Sequence, residues 1–262
     1  MPKHSEIKVW EQVEIERSQA EASHKDISAL RYSESNIARY LNPPEETSFP
    51  LEYAYYLLGD VRGQDVLDFG CGDGGNSVLL ARRGARVRAM DISESLIRVA
   101  RHRLQVNGVP SGVDFLVASA HDLPLADESV DVVFGMAILH HLDLELVARE
   151  VRRVLRQGGR AIFREPVRNS KFIARVRKLI PYRQPHVSPF ERPLTDQELK
   201  AFASGYSMYR SRAFMLPYMS LTRILPISER LLHRLYRFDN ALLKRFPSLG
   251  YYAITRIIEI VK

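Results

Sequence analysis

VLDFGCGDGG, residues 66–75, joins an apolar run ending in an aspartate to a turn holding four glycines and the chain's one cysteine. The apolar run predicts a buried strand, and the residues that follow, to about 83, predict a helix. A glycine-rich turn between the two lets a ligand come close to the backbone and meet the positive end of the helix. The same residues satisfy G-x-G-x-x-G, so on the glycines alone a dinucleotide and other nucleosides fit equally well.

Outward from this turn the pattern repeats. DVLDFG (65–70), ARVRAMD (85–91), VDFLVAS (113–119), VDVVFGMA (130–137) and RAIFREP (160–166) read as strands. They alternate with helices to about 83, over 94–107 and over 143–156, the last expected to stop at Gly158-Gly159. Short apolar strands alternating with amphipathic helices imply βαβ units, a parallel sheet covered on both faces, and a ligand crevice at the carboxyl ends of the strands. Before this core, residues 5–31 are expected to be helical, with Val9, Trp10 and Val13 as the covering face. PLEYAYYLL (50–58) is expected to start at Pro50 and stop at Gly59. Beyond Pro166 a basic helix is expected over 168–180 and a further helix opening at Thr195 with Glu198 three residues on. Strands are expected over 206–216 and 251–261, separated by a largely helical insertion. The expected domains are a lid (1–49), a cofactor-binding core (50–166) and a cap carrying the last two strands (167–262).

Two aspartates discriminate among the ligands. Asp68 sits at a strand's carboxyl end, where a fixed carboxylate repels a pyrophosphate and attracts an ammonium or sulfonium. S-adenosylmethionine carries both cations. Asp91 closes the second strand, where a carboxylate accepts hydrogen bonds from ribose hydroxyls, a role NAD would use as readily.

Taken together, VLDFGCGDGG, RAMDIS (88–93), ASAHDLPLADESVDVVFGMAILHHL (118–142) and LRQGGRAIFREP (155–166) resemble, in order and spacing, the motifs of class I S-adenosylmethionine-dependent methyltransferases. The likeness is to the small-molecule group that includes the ubiquinone/menaquinone methylases. The resemblance implies a Rossmann-like, seven-stranded, mostly parallel sheet with an antiparallel last strand. It also implies methyl transfer to O, N or C of a small hydrophobic acceptor. It places Gly70, Cys71 and Gly72 against the methionyl group, Asp68 near its ammonium, Asp91 on the ribose and Ile92 on the adenine. Ala120, His121 and Asp122 line the adenine edge, and Met136 lies beneath the cofactor. Where many relatives have Gly-Asp-Ala, this chain has Ala118-Ser119-Ala120, so the adenine contact falls to Asp122 or is absent. His140, after the fourth strand, is the candidate base if the acceptor must lose a proton, and otherwise a polar packing residue. Glu165, ending the fifth strand, either hydrogen-bonds the acceptor or pairs with Arg164 or Arg168.

Composition narrows the field. The 262-residue chain is 45% hydrophobic, enough for a sizeable core. A lone cysteine excludes an internal disulfide framework, and no Cys/His spacing suggests a metal site. The N-terminus is charged where a signal peptide needs an apolar stretch, and no apolar run is long enough to cross a bilayer, so a cytoplasmic location is expected. The +7 net charge is localised: residues 167–247 hold 16 basic and 5 acidic residues. Within them, 217–246 alternate leucines and aromatics with arginines, as in a lid or a peripheral membrane contact. No RNA or DNA module appears, and nucleic acid is not expected as a partner. A nicotinamide-dependent oxidoreductase and a non-catalytic, membrane-peripheral binding protein are the alternative readings.

Overall fold

The structure is a computed structural model describing residues 4–109, 111–171, 175, 191–223 and 225–262. Seven strands form one sheet: β1 Asp65–Phe69, β2 Arg86–Asp91, β3 Val113–Val117, β4 Val130–Met136, β5 Leu155–Pro166, β6 Met208–Phe214 and β7 Thr255–Val261. Their order is β3-β2-β1-β4-β5-β7-β6. The first five are parallel neighbours, and β7 runs antiparallel between β5 and β6. The chain winds outward in one direction from β1 and in the other from β4. The crevice between their carboxyl ends is therefore the topological switch point, where ligands of such sheets bind.

Among the described residues the helices are α1 His4–Ser23, α2 Glu34–Leu41, α3 Pro50–Leu58, α4 Gly75–Arg82, α5 Glu94–Val106, α6 Leu144–Val154, α7 Asp196–Phe202 and α8 Glu229–Arg245. Their ends follow local chemistry. Ser33, Ser93, Asp143, Thr195 and Ser228 cap the N-termini of α2, α5, α6, α7 and α8, and Thr195 and Glu198 form a reciprocal capping box. Pro50 opens α3 and Gly59, at φ 58°, ends it. The basic helix expected over 168–180 lies largely outside the described residues.

Alternation along the strands builds two cores. Val66, Val87, Val132, Phe134 and Ile257 pack with Tyr55, Leu58, Leu79 and Leu80 on one face, while Leu67, Phe69, Val133, Phe163 and Ile258 pack with Val147, Val151 and Phe202 on the other. Such double coverage is what makes the strands read as continuous apolar runs.

Three expectations are corrected. Helix α6 ends at Val154, and Gly158 and Gly159 lie inside β5, which starts at Leu155 by pairing with Val130. Gly159 is a close-approach residue there: a Cβ would lie 3.0 Å from the Asp131 carbonyl oxygen and 2.9 Å from that of Arg156. The last strand begins at Thr255, because Pro247–Tyr252 forms a 3-10 turn. In α1, Val9 is 57% exposed while Trp10 and Val13 are half-buried and Ile7 and Ser18 are buried, so the covering face is rotated from the expected one.

Candidate active site

The turn after β1 is shaped by alternating left-handed glycines: Gly70 at φ 72°, Gly72 at 52° and Gly74 at 80°. Two of them are closed in by neighbours. A Cβ on Gly70 would lie 2.7 Å from Ile138, in the turn after β4, and one on Gly74 would lie 2.7 Å from Ala100 of α5. At Gly72 a Cβ would meet nothing within 4 Å, so the loop opens into space at this one of the three. The Cys71 N–H donates to the Met90 carbonyl at 2.8 Å, tying the turn to β2. The Cys71 thiol is buried, and burial pushes its pKa well above the usual thiol value, which removes it as a nucleophile.

Asp68 is 1% exposed. The Ser77 hydroxyl of α4 donates to its Oδ2 at 2.5 Å. Burial nonetheless pushes its carboxyl up to about 7, with the Asp91 and Asp73 charges adding to the rise and the Ser77 hydrogen bond opposing it. Asp91 organises the loop itself. Its Oδ2 accepts the Gly72 N–H and its Oδ1 the Ser93 N–H, both at 2.9 Å, while burial raises its pKa. Two buried carboxylates on adjacent strand ends thus flank an open glycine.

A second cluster of polar side chains lies after β4. Ala137 takes φ 59°, and Leu139–His141 form a 3-10 turn. Glu165, 1% exposed, faces that turn from the end of β5. Its Oε1 accepts the Ile138 and Leu139 N–H groups at 2.9 Å each, and its Oε2 accepts from His140 Nδ1 at 2.8 Å. Glu165 therefore caps the turn. His140 Nε2 lies 3.7 Å from Glu191. Burial lowers the His140 pKa, but hydrogen bonds to Glu165 and Glu191 outweigh it and raise the imidazole to about 9. His141 Nδ1 lies 3.4 Å from Glu14. One ligand atom each from His140, His141 and Glu191 fall within 4.8 Å of one another. The cluster has the donor set of a metal centre, yet its charges are already matched. Glu165 and Glu191 flank His140, and Arg17 Nε donates to Glu14 at 2.9 Å.

Helix α1 crosses these strand ends on polar contacts. The Ser119 hydroxyl donates to Glu11. His121 Nε2 accepts the Asp143 N–H at 3.1 Å, so Nδ1 carries the proton and donates to Glu11 Oε1 at 3.1 Å. Beyond the helix, Lys25 reaches Asp73 at 2.8 Å, and Tyr32 lies against the start of α4. Of the residues expected at an adenine edge, Ala120 is buried, the His121 N–H donates to Ser119 Oγ and Asp122 is exposed. Ile92 and Met136 are both half-buried at strand ends. Glu11, Glu14, Lys25, Ser77 and Glu191 were invisible as site residues, because only the fold brings them to the crevice. A separate recess of about 530 Å³, lined by Tyr55, Gly59, Arg62 and Arg83 among others, lies at the opposite edge of the sheet and shares none of this chemistry.

Comparison with known proteins agrees with this geometry. Residues 67–163 match the family described as "Methyltransferase domain". Methyltransferase GfsG of Streptomyces halstedii is 40% identical over 111 residues, 42% of this chain and 40% of that protein. A ubiquinone biosynthesis O-methyltransferase of Xanthomonas oryzae pv. oryzae is 35% identical over 157 residues, 55% of this chain and 62% of the relative. This chain thus spans between two fifths and about three fifths of these curated relatives. The fold matches a geranyl diphosphate C-methyltransferase from Streptomyces coelicolor A3(2), crystallised with S-adenosyl-L-homocysteine, at a TM-score of 0.54 and 19% identity, covering 79% of this chain and 76% of that one. Residues 67–163 thus match a methyltransferase domain, set in a fold shared with a methyltransferase crystallised with S-adenosyl-L-homocysteine.

Proposed function

We propose that the protein transfers a methyl group from S-adenosylmethionine to a small, hydrophobic acceptor. The observation that carries this reading is the pair of buried carboxylates, Asp68 and Asp91, flanking the open Gly72. Asp68 would hold the ammonium of the methionyl group, and Asp91 would accept the ribose hydroxyls on the lone pairs its two backbone donors leave over. Gly70, Cys71 and Gly72 would run along the methionyl group, Ile92 and Met136 would pack on the cofactor, and Ala120, His121 and Asp122 would line the adenine edge. When bound, the cofactor supplies an electrophilic methyl on a sulfonium leaving group.

The protein's own task is then to hold the acceptor in line and exclude water. Glu165 fixes the turn after β4 at three backbone and side-chain points, and α1 lies across the crevice. With a pKa near 9, His140 is an imidazolium at neutral pH. With Nδ1 held by Glu165 as its positioning partner, its Nε2 would donate to an acceptor oxygen or nitrogen by exchanging Glu191 for it. A hydrophobic acceptor is supported by the relative named for ubiquinone biosynthesis.

Two measurements test the reading. Calorimetry should detect S-adenosylhomocysteine binding in the micromolar range and none for NAD; the reverse pattern sinks the proposal. Label transfer from methyl-labelled cofactor into phenols, quinols and fatty acids should then identify the acceptor class. Binding without any transfer would favour the non-catalytic alternative.

A further inference from the structure

Among the described residues, helix α8 is anchored along one side and uncovered along the other. Leu232, Leu235 and Tyr236 pack against the core, and Asp239 accepts the N–H groups of Met215 and Leu216 at 3.0 and 2.9 Å. Arg212 donates to Asn240 Oδ1 at 3.0 Å. These contacts fix the helix's rotation, and the opposite face carries Arg230, Leu231, Arg234, Arg237, Phe238 and Arg245, all exposed. Leu231 and Phe238, two turns apart, are 45% and 57% exposed, and Leu221 and Leu225 in the preceding segment are 51% and 53% exposed.

We propose that this face docks on an anionic lipid bilayer. Its one acid is Glu229, at the N-terminus of the helix, and the arginines form a fringe around an apolar strip. That arrangement matches the bilayer interface: leucine and phenylalanine enter the acyl boundary while the guanidinium groups meet lipid phosphates. A second copy of the chain would set arginine against arginine. A nucleic acid would satisfy the arginines and leave Leu231 and Phe238 without a partner. The segment leaves the sheet at Met215 and returns at Ile254, whose N–H donates to the Met215 carbonyl at 2.8 Å. Both ends lie at the ligand edge of the sheet, so docking would hold that edge close to the membrane. The proposal does not depend on methyl transfer.

The test is co-sedimentation of the full chain with phosphatidylcholine vesicles, with and without phosphatidylglycerol. Pelleting should require phosphatidylglycerol and should fall at least about fivefold between low and physiological salt. The Arg234→Glu/Arg237→Glu and Leu231→Ser/Phe238→Ser variants should each lose pelleting while keeping S-adenosylhomocysteine affinity, which reports an intact core. Three outcomes overturn the proposal. The wild-type chain could stay in the supernatant with anionic vesicles, or both variants could pellet like wild type. Alternatively, light scattering could show a wild-type dimer that the Leu231→Ser/Phe238→Ser variant dissociates.

Discussion

Asp68 is costly to the fold in its ionised form, the form that a bound ammonium would need. Its folded pKa, about 7, lies above the unfolded value of 3.8, so the stability linked to its neutral form is fully present below 3.8 and is lost as pH rises through 7. A ligand ammonium reverses the preference by pairing with the ionised form. Affinity for S-adenosylhomocysteine should therefore rise about tenfold between pH 6 and 8, the range over which a group of that pKa ionises. Asp68→Asn should abolish that pH dependence and lower affinity by roughly 2 kcal/mol, while raising the melting temperature at pH 8. The glycines separate in the same way. Gly72→Ala puts a Cβ into open space at positive φ and should cost about 1 kcal/mol of stability, yet it should obstruct the ligand. Gly74→Ala forces a Cβ onto Ala100 and should cost about 2–3 kcal/mol, measurable by denaturant titration.

Two elements flank the crevice, each held by polar contacts. The turn after β4 depends on Glu165, and the ion pair with His140 has a defined pH window. The folded pKa of His140 lies above its usual 6.5, so the pair's contribution is complete below 6.5 and lost as pH rises through about 9. His140→Ala should destabilise the protein at pH 7, and the gap to wild type should shrink by pH 10, as seen in urea midpoints. Helix α1 buries Ile7 and half-buries Trp10 and Val13, and it is further tied down through Glu11 and, just beyond its end, Lys25. Glu11→Ala combined with Lys25→Ala should speed S-adenosylhomocysteine release several-fold in stopped flow, with little change in melting temperature, because partly exposed ion pairs contribute little to stability.

The whole molecule is a sheet with chemistry at one edge, and ligand binding there should report on all of it. S-adenosylhomocysteine at a hundred times its dissociation constant should stabilise the fold by about 2.7 kcal/mol, raising the melting temperature by several degrees. NAD at equal concentration should leave it unchanged; a shift with NAD alone would return the glycine turn to the dinucleotide reading. The alternation of strands with helices and the strand-end places of Asp68 and Asp91 were legible in the residues, because the βαβ rhythm is a local pattern, whereas the antiparallel last strand followed from the family resemblance. The α1 contacts and Glu191 were not, since their partners lie more than 50 residues away.

By itself, the sequence determined the sheet, its glycine turn and the sign of the charge placed beside it, since apolar alternation, glycine spacing and a strand-terminal aspartate act over short stretches of chain. Only the tertiary structure decided what Glu165 and His140 do. Glu165 reads alone as a substrate ligand or an arginine partner, and in the fold its oxygens accept from the turn after β4. His140 reads as a base or a polar packing residue, and in the fold it lies between two carboxylates from distant segments. A titratable side chain's role is set by the charges around it, and those arrive only when the chain has folded.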